Sequence, residues 1–277
     1  MKKSVVVLSC CLLILSCSQK KAKSYELRVK GSESLYDTFV ALKSGFEKNQ
    51  DSIKLLIEGG GSRTGLAAIR SGKADIGLSS YRFPLDTLFG INHGVNEMIV
   101  AYDGIVVVNN KRNPMMQLNN KQIQQIFEGK ISNWSEIGGK DGVITRIIRD
   151  KNSGTQKFFQ EYFDISEMAK SSIVEKDNKH IVERVFNNEN AIGFISFSYF
   201  AEQINSVQLQ NKHSLVSALT FVDPAFKTLE NGAYPLRRSL QLYYSDGHEG
   251  LNPFLDYLKS KEAKSILEMH GMLSASY

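Results

Sequence analysis

Hydrophobic positions recur along this chain in two alternating rhythms. YELRVKG (25–31) alternates residue by residue, the period of a half-buried strand. Leu35, Phe39, Leu42 and Phe46 then fall three to four apart over 35–48, the period of a helix face. SIKLLIEGG predicts a strand running into glycines, LAAIRSG a short helix closed by Gly72, and ADIGLSS a short buried strand. EMIVAYDGIVVVNN (97–110) is a long β-rich run that Asp103-Gly104 interrupts. A helix is expected over 121–128, with Asn119 or Asn120 as its cap and Gly129 past its end. A strand follows at 143–149, a helix at 155–163, and a helix lined by Ile181, Val182, Val185 and Phe186. AIGFISF reads as a buried strand, LRRSLQLYY as a late strand, and 252–270 as one closing helix with Phe254, Leu255, Leu258, Ile266 and Leu267 inward. Strands alternating with helices predict an α/β fold.

One local unit recurs within this order. A strand ends, a Gly/Ser/Thr cluster follows, and a helix begins, at VKGSESL (29–35), IEGGGSRTGL (57–66) and IIRDKNSGTQ (147–156). The first turn of a helix exposes unpaired N–H groups and a partial positive charge. Hydroxyls add donors, and glycine lets the backbone come close. Capping alone accounts for any one cluster. Three in one chain, one with an arginine at a fixed offset, point to a bound tetrahedral oxyanion. The glycine loop is not a nucleotide-binding P-loop, because Leu66 stands where the lysine must follow the last glycine.

Composition narrows the picture. The 277 residues carry a formal charge of +5, which falls to +3 if Lys2 and Lys3 leave with a cleaved leader. That charge is too small, and too evenly spread, to suggest nucleic acid. The leader is legible: Lys2 and Lys3 precede SVVVLSCCLLILS, an apolar run too short to span a membrane. Cys10 and Cys11 lie in it and Cys17, the third and last cysteine, directly follows it. ILSC (14–17) resembles a lipoprotein box, so residues 1–16 are expected to be a signal peptide and Cys17 to carry the lipid, palmitate included. VLSC (7–10) fits the box but leaves too short an apolar run. Residues 17–25 then form the acylated cysteine and a polar tether. The five histidines have no metal-ligand spacing, so no metal or other cofactor is expected.

The three clusters, together with VAYDGIVVVNN, NNKQIQQIFEGKISNWSEIGGKDG, AIGFISFSYF and YPLRRSLQLYY, resemble the phosphate-binding lipoproteins of bacterial phosphate ABC transporters. The resemblance covers about residues 27 to 270, and its motifs keep their order. It implies a two-lobed periplasmic-binding-protein-like (type II) fold with two crossing hinge strands, AYDGIVVV and RRSLQLYY. Lobe one would be 26–103 plus 237–277, and lobe two 104–236. It implies a monomer, lipid-anchored outside the cytoplasm, that captures inorganic phosphate. The phosphate then passes to permease subunits driven by a cytoplasmic ATPase. No enzymatic activity is implied. The matching site positions are Ser32, Glu33 and Ser34, then Ser62, Ser80, Arg149, Ser153, Gly154 and Thr155. Arg149 and Ser153 keep the Arg-x-x-x-Ser-Gly-Thr spacing, and an arginine fork suits two phosphate oxygens. A surface ion pair with Asp150 or Glu161 is the plainer reading of Arg149. Trp134 is expected to pack its loop, and Asp103 to sit in a hinge turn.

Three positions depart from the family. Arg63 replaces the middle glycine of GGGSGTG, and with Thr64 and Arg82 it is a further candidate contact; it could equally face solvent or a partner. Ser80 stands where better-known members carry an aspartate that accepts a hydrogen bond from protonated phosphate. Glu33 lies between Ser32 and Ser34, either as a substitute acceptor or as a charge at the helix start. These departures leave open another oxyanion, such as sulfate, molybdate or tungstate. A surface phosphate sensor or adhesin on the same fold is also open. A hydrolase is disfavoured, since GGSRT misses the G-x-S-x-G nucleophile elbow at Thr64.

Overall fold

The computed structural model describes residues 23–115, 117–205, 216–218 and 225–275. The expected signal peptide, Cys17 and the first part of the tether lie outside these residues. Strands β1 (Tyr25–Gly31), β2 (Ile53–Glu58) and β3 (Ile76–Ser79) alternate with helices α1 (Glu33–Lys48) and α2 (Ser62–Arg70). A short α3 (Leu85–Phe89) leads into β4 (Val95–Asn110). Then come α4 (Asn120–Phe127), β5 (Thr145–Arg149), α5 (Gly154–Tyr162), β6 (Ile173–Glu175), α6 (Asn178–Asn187), β7 (Ala191–Ser196) and α7 (Phe197–Asn205). Strands β8 (Val216–Ala218), β9 (Arg237–Ser245) and β10 (Leu273–Ser274) complete the sheet.

The main strand order is β2-β1-β3-β9-β4-β7-β5-β6. The outer pairs β1–β2, β1–β3, β5–β6 and β5–β7 are parallel, as crossover helices require. The central pairs β3–β9, β4–β9 and β4–β7 are antiparallel. Strand β4 belongs to both halves: Val95 to Gly104 pair with β9, and Ile105 to Asn109 pair with β7. Each half has its own apolar core. One gathers Leu27, Leu35, Phe39, Leu55, Leu78, Val100, Leu240 and Phe254. The other gathers Val106, Phe127, Trp134, Ile147, Phe159 and Phe194. The two cores meet along β4, where Ala101 belongs to the first and Ile105 to the second. The fold is therefore two α/β lobes joined through β4 and β9.

Two expectations need correction. Asp103-Gly104 does not interrupt the long strand, which runs unbroken from Val95 to Asn110. Asp103 lies within that strand, fully buried and paired with Arg238 on β9, and not in a turn. The closing segment is two helices, Leu251–Leu258 and Lys261–Met269, because Ser260 caps the second by accepting from the Ala263 N–H. Smaller differences remain: the strand expected from 143 begins at Thr145, Phe197 of AIGFISF starts α7, and Phe186 is exposed. Asn119 forms a capping box with Gln122, and Trp134 is buried with its Nε1–H donating to the Asn190 carbonyl.

Candidate functional site

The three Gly/Ser/Thr clusters do begin helices, and their first turns meet at the seam between the lobes. Ser32 precedes α1, Gly61 precedes α2 and Ser153 precedes α5. The contacts are direct. Ser34 Oγ of α1 lies 3.1 Å from Thr155 Oγ1 of α5. Ser62 Oγ of α2 accepts from the Ser80 N–H at 3.1 Å and lies 3.4 Å from Ser80 Oγ. A side chain at Gly154 would put its Cβ 2.3 Å from Ser62 Oγ and 2.8 Å from Ser80 Oγ. A larger residue would fit only if those hydroxyls turned away or the helix start stood back. Ser153 caps α5 by accepting from the Gln156 N–H. Ser32 makes no cap bond, and its backbone N–H donates to Leu78 O instead.

Arg149 ends β5 at the edge of this cluster and is 2% exposed. Its Nη2 donates to the Lys176 carbonyl at 2.6 Å. Its Nε and Nη1 are buried with no hydrogen-bond partner among the described residues. A buried cation with unmet donors is costly unless it faces an anion. Burial pushes the Arg149 pKa down, opposed by the charges of Asp150, Glu33 and Asp177, while Arg238 pushes it down further. A guanidinium nevertheless stays protonated in proteins.

Arg238 is the residue that the sequence reading missed. Its Nη1 donates to Thr155 Oγ1 at 2.8 Å and to Ser80 O at 3.3 Å. Its Nη2 donates to Ser34 Oγ at 3.3 Å and to Asp103 Oδ2 at 3.0 Å. Its Nε has no partner among the described residues. Asp103 Oδ1 accepts in turn from the Ser198 N–H of α7. One guanidinium on a crossing strand thus touches both lobes. A signal was present: Leu236, Arg238, Leu240 and Leu242 are all buried on one alternating face. An arginine inside an apolar alternation must be paired.

The remaining candidates lie elsewhere. Glu33 accepts from the Gly60 N–H, so its carboxylate holds the glycine loop. Thr64 Oγ1 donates to Gly61 O at 2.7 Å. Arg82 forms an ion pair with Glu97 at 3.0 Å. The exposed Arg63 guanidinium stands 5.5 Å from the Phe83 ring centre. Thr64, Arg82 and Arg63 make no hydrogen bond to the cluster of Ser34, Ser62, Ser80, Thr155, Arg149 and Arg238, and Glu33, although bonded to Gly60, stands near enough for its charge to act on Arg149.

The cluster's charge follows directly. Asp103 is paired with Arg238, the charges of Asp150, Glu33 and Asp177 act on Arg149, and three helix starts add partial positive charge. Its free donors suit a tetrahedral oxyanion at the lobe seam.

Comparison with known proteins agrees with this geometry. A family model described as the PBP superfamily domain matches residues 18–262. The chain is 29% identical over 268 residues to the phosphate-binding protein PstS of Bacillus subtilis, covering 93% of this chain and 83% of the relative. A substrate-binding protein from Clostridium perfringens, assigned to a phosphate ABC transporter and solved with bound phosphate, has a TM-score of 0.80 and 28% identity. It covers 91% of this chain, and its own chain is covered completely (100%). An ABC-type phosphate transport receptor from Vibrio cholerae has a TM-score of 0.73 and 26% identity, covering 90% of this chain and 100% of that one.

Proposed function

The chain belongs to the PBP superfamily, and on that premise we propose that it captures inorganic phosphate between its lobes and delivers it to the permease of an ABC transporter. It is a binding protein and not an enzyme. The observation that carries the reading is Arg149, buried at the lobe seam with two donor nitrogens unmet. Phosphate entering beside Ser34, Ser62, Ser80, Ser153, Gly154 and Thr155 satisfies those donors and separates Arg149 from the like charge of Arg238. Ser32 lines the same helix starts.

Closure follows from the same contacts. Residues 26–103 with 237–277 form one moving lobe and 104–236 the other, turning about β4 and β9. Arg238 bonds Ser34 and Ser80 on one side and Thr155 on the other, so its network is complete only when the lobes meet. Excluding water then strengthens every polar contact to the anion. Residues 1–16 direct export and Cys17 carries the lipid, which places a monomer outside the cytoplasm beside permease subunits and their ATPase. No helix among the described residues is long and apolar enough to cross a membrane.

A second reading, another oxyanion such as sulfate, draws on one specific observation. The Glu33 carboxylate is committed to Gly60, and position 80 has a hydroxyl where an aspartate would accept a proton. Calorimetric titration with phosphate, sulfate, arsenate and molybdate tests both readings. Sub-millimolar phosphate binding is expected. Its absence removes the first reading, and tighter binding of another anion selects the second.

A further inference from the structure

Arg63 is the residue that the anion site leaves unexplained. It lies on the outer face of α2, where exposed Arg63, Ala67 and Arg70 are spaced as one helical stripe. Beside the stripe is a groove of about 170 Å³, lined among others by Arg63, Leu66, Arg70, Phe83, Leu88 and Phe89. Leu88 is 37% exposed, and the neighbouring Ile91 is 85% exposed. The lining contains two arginines and no carboxylate. Neither arginine forms an ion pair among the described residues, although exposed cations elsewhere on the chain, such as Arg82 and Arg112, do.

The groove also senses closure. The Arg63 backbone N–H donates across the seam to Asn152 O at 3.1 Å. Gly61, with φ +90°, lies so close that a Cβ there would sit 2.7 Å from the same oxygen. The start of α2 is therefore pinned by lobe two, in the loop that leads into the anion-binding turn of α5. A partner seated on this groove contacts a surface whose near end is fixed by the closed state.

We propose that this groove is the surface on which the permease reads the closed, loaded protein, and that its occupant is an acidic segment of the permease with an apolar tip. This rests on the transport reading above. Arg63 and Arg70 are seven residues apart, about 10 Å along a helix. The segment therefore presents two carboxylates at roughly that spacing, with one large apolar side chain between them entering against Leu66, Phe83 and Leu88. Opposite charges across such a rim set encounter rate and orientation.

The test uses the full-length protein with its permease and ATPase reconstituted in liposomes. Arg63→Glu with Arg70→Glu is expected to leave the phosphate Kd within twofold. The same variant should lower phosphate-stimulated ATPase activity and uptake at least tenfold at low salt. Leu88→Asp, on the apolar side, is expected to act in the same direction. Reversing acidic residues on the permease face to lysine should restore activity to the double glutamate variant. Unchanged ATPase stimulation overturns the proposal. So does a large loss of phosphate affinity, which would return Arg63 to the anion site. So does a concentration-dependent dimer abolished by the same substitutions, which would give the groove to a second copy. Failure of the unmutated protein to bind phosphate defeats the transport reading instead, and it registers in the wild-type Kd before any variant is compared.

Discussion

Asp103 and Arg238 face each other across the two strands that join the lobes, and their side chains, 0% and 1% exposed, form an ion pair at 3.0 Å. Neither side chain reaches water, so each depends on the other for its charge. Removing one partner of a buried pair typically costs about 3–5 kcal/mol, because the other is left uncompensated. Asp103→Asn is therefore expected to lower stability by about that amount, read from urea unfolding. Combining Asp103→Leu with Arg238→Met should recover much of the loss while phosphate binding falls sharply. If the double substitution is as unstable as the single, the pair is not the source of the cost.

Arg149 should give opposite signs for stability and binding. Its burial without partners for Nε and Nη1 is unfavourable in the unliganded protein. Arg149→Met should leave the unliganded Tm unchanged or raise it. Phosphate affinity should fall by about 2–3 kcal/mol, the scale of a charged hydrogen bond left unmade. Differential scanning calorimetry with and without phosphate separates the two effects. A lowered unliganded Tm with retained affinity would make Arg149 a structural residue.

Asp75 ties β1 to the loop before β3. It accepts from the Arg28 backbone N–H and from both Nε and Nη2 of Arg28. Burial pushes its pKa up, but the Arg28 bonds outweigh that and hold it below the usual carboxylate value. A depressed folded pKa means that the contribution is fully present above the unfolded value, near about 3.9. It is lost as pH falls through the lower folded value. Arg28 is largely exposed, so screening limits the effect to about 1 kcal/mol. Urea midpoints of the wild type and Asp75→Asn should differ at pH 7 and converge near about pH 2. A gap of constant size across that range would assign the effect to packing.

Much of the site is local, and that part was legible in the sequence. A glycine and a hydroxyl ahead of an apolar helix period are read from a few consecutive residues, so Ser34, Ser62, Ser153 and Thr155 could be named. Long-range pairing is different. Arg238 lies 135 residues from Asp103, and no local pattern links them. Without that link, an aspartate and a glycine inside an apolar run look like a break, when they are the middle of a sixteen-residue strand. Glu33 was open for a similar reason. Its carboxylate could have served the anion or the helix start, and the Gly60 N–H that it meets lies on the next loop. The break at Ser260 escaped because Phe254, Leu258 and Leu267 keep an apparent helical rhythm across it.

Gly154 tests how tightly the helix starts must meet. A Cβ there would sit 2.3 Å from Ser62 Oγ, forcing the hydroxyl to rotate or the lobes to stand apart. Gly154→Ala should weaken phosphate binding by an overpacking cost of roughly 1–3 kcal/mol. The unfolding midpoint of the unliganded protein should stay close to wild type. Small-angle scattering with saturating phosphate should report a more open average shape. A compact liganded form with wild-type affinity would mean that the seam has slack.

Selectivity provides the last test, because the site is built from hydroxyls where a carboxylate acceptor could stand. Ser62 and Ser80 can each donate or accept, so they meet either a protonated or a fully ionised oxygen. Glu33 is held at Gly60, and Asp103 is occupied by Arg238 and the Ser198 N–H. Arg149 keeps two unmet donors, and no bare carboxylate acceptor stands among the hydroxyls to repel a fully ionised anion. Sulfate should therefore compete measurably with phosphate in the wild type. Ser80→Asp adds a buried acceptor and a negative charge beside Ser62. Phosphate can offer it a proton and sulfate cannot, so sulfate affinity should drop at least tenfold more than phosphate affinity. Glu33→Gln should leave the ratio of the two unchanged, since its carboxylate serves the loop. Competition calorimetry on the three proteins decides it. Equal losses for both anions in Ser80→Asp would show that charge alone is read, and a changed ratio in Glu33→Gln would bring that carboxylate back to the anion.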